Sequence, residues 1–320
     1  MCVKKIMTEI QKSILNRIEE KYKTIDQNPN VHLEGLVHAK PMNYWDYIMP
    51  DALLALQVQR TTEPDEMVFV MYHQINELLF KMILWEINQV SNCDDLTVSF
   101  FTEKLRRISR YFDMLSSSFD IMGDGMEKEQ YMKFRNTLTP ASGFQSAQYR
   151  LIEFSSTELI NLIDYRFRAT IDRNTPFDYA FEHLYWQAAG KDYATGKKNT
   201  MLVLFEERYK AEFLIKMEKY NNTNIWTKFK QLPEDVKNNV ELINAMRHYD
   251  YTVNVKWVMA HYHAAGKYLG VSEATGGSDW RKYMHPKYQR RIFFPELWSK
   301  VELQNWGIFS DEIITDTDLT

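Results

Sequence analysis

Apolar residues recur at helical spacing along almost the whole chain. Ile10, Ile14, Ile18 and Tyr22 repeat every four residues, which predicts an amphipathic N-terminal helix. A polar stretch over 26–40 follows, with Pro29 and Gly35 inside it and Pro41 just beyond. Thr62 ahead of Pro64, Asp65 and Glu66 combines a capping hydroxyl, a first-turn proline and early acids, so a helix is predicted to start there. It runs to about Val90, is apolar on most of its circumference, and reads as central. Leu105, Ile108, Phe112 and Leu115 mark another helix, ended by Ser116-Ser117-Ser118. Residues 131–138 and 144–154 read as helical pieces separated by Thr139-Pro140-Ala141-Ser142-Gly143. Residues 177–188, 201–220 and 233–269 complete the set, the last closed by Gly270. No strand-period run, internal repeat or low-complexity linker interrupts them. One all-α domain over 1–320, with 1–40 as an N-terminal helical arm, is the expected organisation.

Composition narrows the class. Apolar residues at 45% and charged residues at 26% are average for a globular chain and exclude disorder. Aromatics at 14%, 16 Met and few Gly (11) or Pro (9) suit long helices packed around something large and flat. A net charge of −4 argues against nucleic acid as partner. Two cysteines cannot build a disulfide framework or a zinc cluster, which fits a reducing compartment. Lys81 and Glu86 break the most apolar run, 78–90, and the first ten residues lack the pattern of a secretory signal. The expected location is the cytoplasm, away from membranes.

Eight histidines are the obvious candidates for chemistry. None has Glu three residues before it, which excludes a helical di-iron carboxylate site, and no His-Glu-x-x-His occurs. His32-Leu-Glu34 resembles half of an iron triad that normally sits in a β-barrel, a fold not predicted. The 190–198 segment has a Gly-Lys pair but not the spacing of a phosphate loop, and reads as a solvated lysine-rich loop. Isolated histidines on helices remain, and these suit either a packed core or haem, whose iron needs as few as one protein ligand. His261 has Trp257 one turn before it and Ala264 and Ala265 one turn after; His73 has Phe69 one turn before it. Tyr131 and Arg135 stand four apart, so phenol and guanidinium project together. That pair either grips a carboxylate or is a surface arginine stacked on a tyrosine.

In these same places the chain resembles the tryptophan 2,3-dioxygenase family. An early segment reads Tyr44-Trp-Asp-Tyr47-Ile48, then Asp51, Leu53-Leu54 and Gln57. The central helix carries Asp65-Glu66-Met67, Phe69, His73-Gln74 and Glu77-Leu78. The most specific block runs Phe134-Arg135-Asn-Thr-Leu138-Thr-Pro140-Ala-Ser142-Gly143-Phe144-Gln145-Ser146-Ala-Gln148-Tyr149-Arg150. Lys256-Trp257, His261, Leu269-Gly270 and Thr275-Gly276-Gly277-Ser278 follow in family order.

The resemblance implies a helical domain assembling as a homotetramer, with one haem b per subunit held by His261 as proximal ligand. It implies His73 as the distal histidine near the indole N–H, and Phe69 lining the indole pocket. Arg135 and Tyr131 would hold the substrate carboxylate, and Thr275 its ammonium and carboxylate end. Ser142, Arg150 and Trp257 would lie against the haem, Arg150 facing a propionate. Tyr44, Tyr47 and Ile48 would be lent to the pocket by a neighbouring protomer. The implied reaction inserts O2 across the indole C2–C3 bond of L-tryptophan to give N-formylkynurenine. A same-fold oxygenase or peroxygenase acting on another indole or aromatic amino acid is the second reading, and a non-catalytic haem or tryptophan sensor the third. Three departures stand out: Pro64 replaces a histidine, Ala274 a glycine, and Ile48 a leucine. Residues 161–233 carry no family motif that can be placed.

Overall fold

A computed structural model describes residues 7–138, 145–269, 281 and 284–308. The fold is all-α; among the described residues the strand-like pairings are isolated bridges, Ile163 with Leu184 and Lys191 with Lys198. The chain divides into two compact units, Met1–Gln57 and Val58–Thr320.

The first unit holds helices α1 (Glu9–Lys23), α2 (Pro29–His38), α3 (Tyr44–Ile48) and α4 (Pro50–Leu53). Thr8 and Gln11 form a reciprocal capping box that starts α1. The polar stretch expected to be irregular contains α2, begun by Asn28 as cap and Pro29 in its first turn. No residue of these four helices is buried, and the predicted stripe lies open, Ile10 at 74% exposure.

The second unit is built on α5 (Asp65–Ser91), which packs against α6 (Val98–Ser117) and α9 (Ala147–Ser156). Thr62 does not cap α5. The carboxylate of Glu66 instead reaches back to the amides of Arg60 (2.9 Å) and Thr61 (2.6 Å). Helices α7 (Phe119–Asp124) and α8 (Lys128–Arg135) follow. Starts of α5 and α8 cap each other: Asp65 N–H donates to Gln130, and Asp65 Oδ2 accepts from Glu127 N–H. Beyond α9 come α10 (Phe177–Phe181), α11 (Thr200–Asn221), α12 (Ile225–Lys230), α13 (Glu234–Lys237), α14 (Val240–Tyr251), α15 (Trp257–Leu269) and α16 (Lys300–Gln304). The helix expected over 177–188 stops at Phe181 and resumes as a 3-10 turn, Tyr185–Ala189. The helix expected over 233–269 is three pieces, with a π-helical turn, Thr252–Lys256, joining α14 to α15.

That π turn sets the site. In a continuous α-helix Trp257 would be rotated roughly 80° from Tyr249; one extra residue per turn brings it back to within about 20°. Both rings accordingly meet Phe112, at 6.1 Å each. The main core gathers Ile83, Ile87, Leu105, Phe112, Ile152, Phe213 and Met246, all buried. Burying each contributes about 1.5–3 kcal/mol. Asp250, fully buried, accepts from Asn254, the Phe293 and Phe294 amides and the Trp298 indole, pinning the C-terminal segment to α14. The 190–198 segment is not a solvated lysine loop: Lys191 and Lys198 are only 12% and 19% exposed and both pair with Glu182.

Candidate active site

Helices α5, α7, α8 and α15 converge on a second, smaller cluster: Tyr72, Phe119, Met122, Met126, Phe134, Ala264 and Tyr268 are buried there, with Phe69, Tyr131 and Trp257 against it. Spacing explains the convergence. Trp257, His261, Ala264 and Tyr268 fall on one face of α15, and Phe69, Tyr72 and His73 within one turn of α5. His261 stacks on Phe119, with centroids 5.0 Å apart and planes 13° from parallel. Trp257 lies 6.2 Å from the same imidazole. Phe69 touches His73 (4.1 Å), Phe134 (5.5 Å) and Tyr131 (6.3 Å). Tyr131 in turn meets Tyr268 at 4.6 Å. Tyr268 donates its hydroxyl to the carbonyls of Met122 and Met126, locking α15 to α7.

Both histidines are accessible to solvent, His73 exposed and His261 half-buried. Both are nevertheless strongly desolvated by the atoms around them. The two properties together describe a recess, open to solvent on one side and walled by protein on the others. Burial pushes His261 down to about 4, helped by repulsion from His73 and Arg291, so it is neutral at pH 7 with a lone pair to give. That mutual repulsion also puts the two imidazoles within electrostatic reach of each other. His73 is lowered by burial too, against the pull of the Phe69 carbonyl and Glu77. Its Nδ1 lies 2.7 Å from the Phe69 carbonyl. A carbonyl only accepts, so Nδ1 carries the proton and Nε2 is left as an acceptor.

Tyr131 is raised by burial and stays a donor, with the Arg135 guanidinium as its electrostatic neighbour. Glu77 staples α5 to the start of α9, accepting from Ser146 (2.8 Å) and Gln148 (2.8 Å). The indole N–H of Trp257 is buried with no hydrogen-bond partner among the described residues. Among the described residues no three His, Cys, Asp or Glu converge as a metal-binding group. The donor set is therefore one neutral imidazole among aromatic walls, with an unpartnered N–H beside it. Those features fit a large apolar ring carrying acidic groups and a metal that needs a single ligand.

Arg150 stands elsewhere. It is 4% exposed, donates to the Tyr185 hydroxyl at 3.0 Å, and forms an ion pair with Glu153 at 3.0 Å. Arg291 joins the same cluster, donating to Tyr149 (3.0 Å) and Tyr185 (2.7 Å). The Tyr149 ring lies 4.8 Å from Trp257. Tyr44, Tyr47 and Ile48 lie on α3 in the first unit, 72%, 73% and 45% exposed. Ser142 and Thr275, and with them Gly276 and Gly277, lie outside the described residues. Sequence reasoning missed Phe119 and Arg291. Tyr268 was findable, two turns beyond His261 on the face that already carries Trp257.

The profile of the family described as tryptophan 2,3-dioxygenase matches residues 32–255. The chain belongs to the tryptophan 2,3-dioxygenase family. A tryptophan 2,3-dioxygenase of Ruegeria pomeroyi (strain ATCC 700808 / DSM 15171 / DSS-3) is 28% identical over 287 residues, covering 85% of this chain and 96% of its own. One from Bacillus cereus (strain ZK / E33L) is 26% identical over 292 residues, covering 85% and 98%. Tryptophan 2,3-dioxygenase 1 of Ralstonia nicotianae (strain ATCC BAA-1114 / GMI1000) is 27% identical, covering 81% and 87%. The family match runs through the 161–233 segment that has no legible motif, and ends six residues before His261.

Proposed function

We propose that this member of the family is a haem-dependent dioxygenase that opens the indole ring of L-tryptophan, placing both atoms of O2 in N-formylkynurenine. The observation that carries this reading is the pairing of His261 and His73 in one recess with the Tyr131–Arg135 pair at its side. Haem b, when bound, supplies the chemistry that makes O2 reactive toward the indole. His261 is the residue to hold its iron, since it is neutral and braced by Phe119. The Trp257 N–H, with Ser142, is assigned to the haem's acidic edge; Arg150, already held by Glu153 and Tyr185, is not.

The chain's own residues position the substrate. Arg135 and the protonated Tyr131 grip the carboxylate, with Thr275 assigned to the ammonium end. Phe69 packs against the indole plane. His73, protonated on Nδ1, accepts the indole N–H at Nε2, which fixes the ring's rotation about its long axis. Holding a zwitterion at one end and the ring N–H at the other places C2 and C3 by orientation alone.

We also propose a homotetramer with pockets shared between protomers through Tyr44, Tyr47 and Ile48. Two exposed apolar surfaces support assembly. In the first unit Tyr44, Trp45, Tyr47, Leu54 and Leu56 are all more than 60% exposed. On α5, Met71, Ile75, Leu78, Met82 and Trp85 form an exposed seam at alternating spacings of four and three, the pattern of helices that pack in pairs. No helix among the described residues is long and apolar enough to cross a membrane, and the two cysteines favour the cytoplasm.

Aerobic incubation of the reduced, haem-loaded protein with L-tryptophan tests the activity directly. N-formylkynurenine should appear by absorbance and by mass, with two oxygen atoms from labelled O2. 3-Methylindole and tyrosine should give none. Product from these but not from tryptophan would move the enzyme to another substrate; no product from any would leave the sensor reading.

A further inference from the structure

A cavity of about 340 Å³ opens on the second unit, lined by Arg168, Arg290, Arg291, Tyr165, Tyr185 and Tyr288 among others. Its volume lies in the range that holds a small organic molecule. Charge is what sets it apart. The guanidiniums in and immediately behind its wall are those of Arg150, Arg166, Arg168, Arg290 and Arg291; the carboxylates are Asp164 and Glu153.

Both acids are already engaged. Asp164 is held by Arg166 through Nε (2.9 Å) and Nη2 (2.8 Å). Glu153 is shared by Arg150 (3.0 Å) and Arg291 (3.4 Å) and accepts the Tyr185 hydroxyl. Among the described residues Arg168 gives its protons to the carbonyls of Ile163 (2.9 Å) and Asn161 (3.2 Å). Arg290 reaches the carbonyl of Lys287, at 3.4 Å. Neither has a carboxylate partner among the described residues. At the floor, Arg291 is 9% exposed, and its Nε is buried with no acceptor among the described residues. Burial also lowers Arg168, and the nearby Asp164 carboxylate, itself held by Arg166, offsets this only in part. Desolvated guanidiniums are compensated best by an oxyanion that accepts in parallel from their forks.

We propose that this cavity is a binding site for a small organic dianion, a dicarboxylate or a phosphomonoester, gripped by Arg168 and Arg290 at the mouth and Arg291 at the floor. The tyrosine rings leave room for a flat or short aliphatic body between the charged ends. Nothing in this assignment depends on the reaction proposed for the histidine recess.

Isothermal titration of the full-length haem-loaded protein, at matched ionic strength, tests it with succinate and phenyl phosphate as probes and acetate as monoanion control. Saturable one-to-one binding of either dianion is expected, with acetate far weaker. Succinate alone would assign the site to dicarboxylates, phenyl phosphate alone to phosphomonoesters. Arg290→Gln, at an exposed position where the fold is safe, should weaken binding about tenfold, and Arg168→Gln with Arg290→Gln about a hundredfold. Absence of saturable binding by both dianions would overturn the proposal. Affinity unchanged in Arg290→Gln, or equal affinity for acetate, would overturn it as well.

Discussion

The two aromatic clusters of the second unit share helices but obey different rules. In the larger one, the buried carboxylates of Glu86 and Asp250 are answered by the protein itself. Glu86 meets Lys104 at 2.7 Å with both side chains under 10% exposed, and Asp250 collects its donors from three separate stretches of chain. In the smaller one, a few residues along the same α14–α15 rod, two imidazoles stay accessible and an indole N–H has no acceptor. Charges paired inside the protein make a scaffold; imidazoles left accessible inside aromatic walls make a place for a ligand. The contrast separates residues whose loss should unfold the protein from residues whose loss should only silence it.

His261→Ala is the most drastic way to probe the second kind. The Soret band should vanish while the far-ultraviolet circular dichroism is unchanged; a normal haem spectrum would move the ligand elsewhere. Asp250→Ala attacks the scaffold, and should lower unfolding free energy by roughly 3–5 kcal/mol, read from the urea midpoint. Arg135→Leu should raise KM for tryptophan by about a hundredfold, the worth of a bidentate charged pair, with a similar loss for indole-propionate and no change in thermal midpoint. Unaltered kinetics would take Arg135 out of the site. His73→Ala should retain haem and slow turnover by about ten- to a hundredfold; loss of haem instead would mean the two histidines exchange roles.

The smallest effect is a pH dependence in the scaffold. Burial alone would raise Glu182, but hydrogen bonds from Lys191, Lys198 and Lys210 outweigh it and hold the carboxyl at about 2. A depressed folded value means its contribution is complete above the ordinary value of 4.5 and is lost as pH falls toward 2. Glu182→Gln should therefore flatten the acid limb of a urea-midpoint profile between those limits and shift it little at neutral pH.

Long helices were legible because periodicity alone specifies them: 201–220 reads directly as α11, and the central helix is placed within a residue or two. Interruptions were not, because they answer to distant partners. The π turn at 252–256 exists to aim Trp257 at Phe112, a residue more than a hundred positions earlier. Lys191 and Lys198 look solvated until Glu182 is brought to them. At the site, Phe69, His73, Tyr131, Trp257 and His261 do come together, since each sits on a helix whose face the apolar pattern fixes. Phe119 was invisible because it belongs to α7, a short helix after a serine run with too few residues to show a period.

The joint between α14 and α15 carries one residue more than a regular helix would hold. Deleting a single position there would spare nearly every side chain and still turn the downstream half by about 100°. Trp257, His261 and Tyr268 would swing off their wall together, so the reading frame of one helical rod decides whether the recess exists at all.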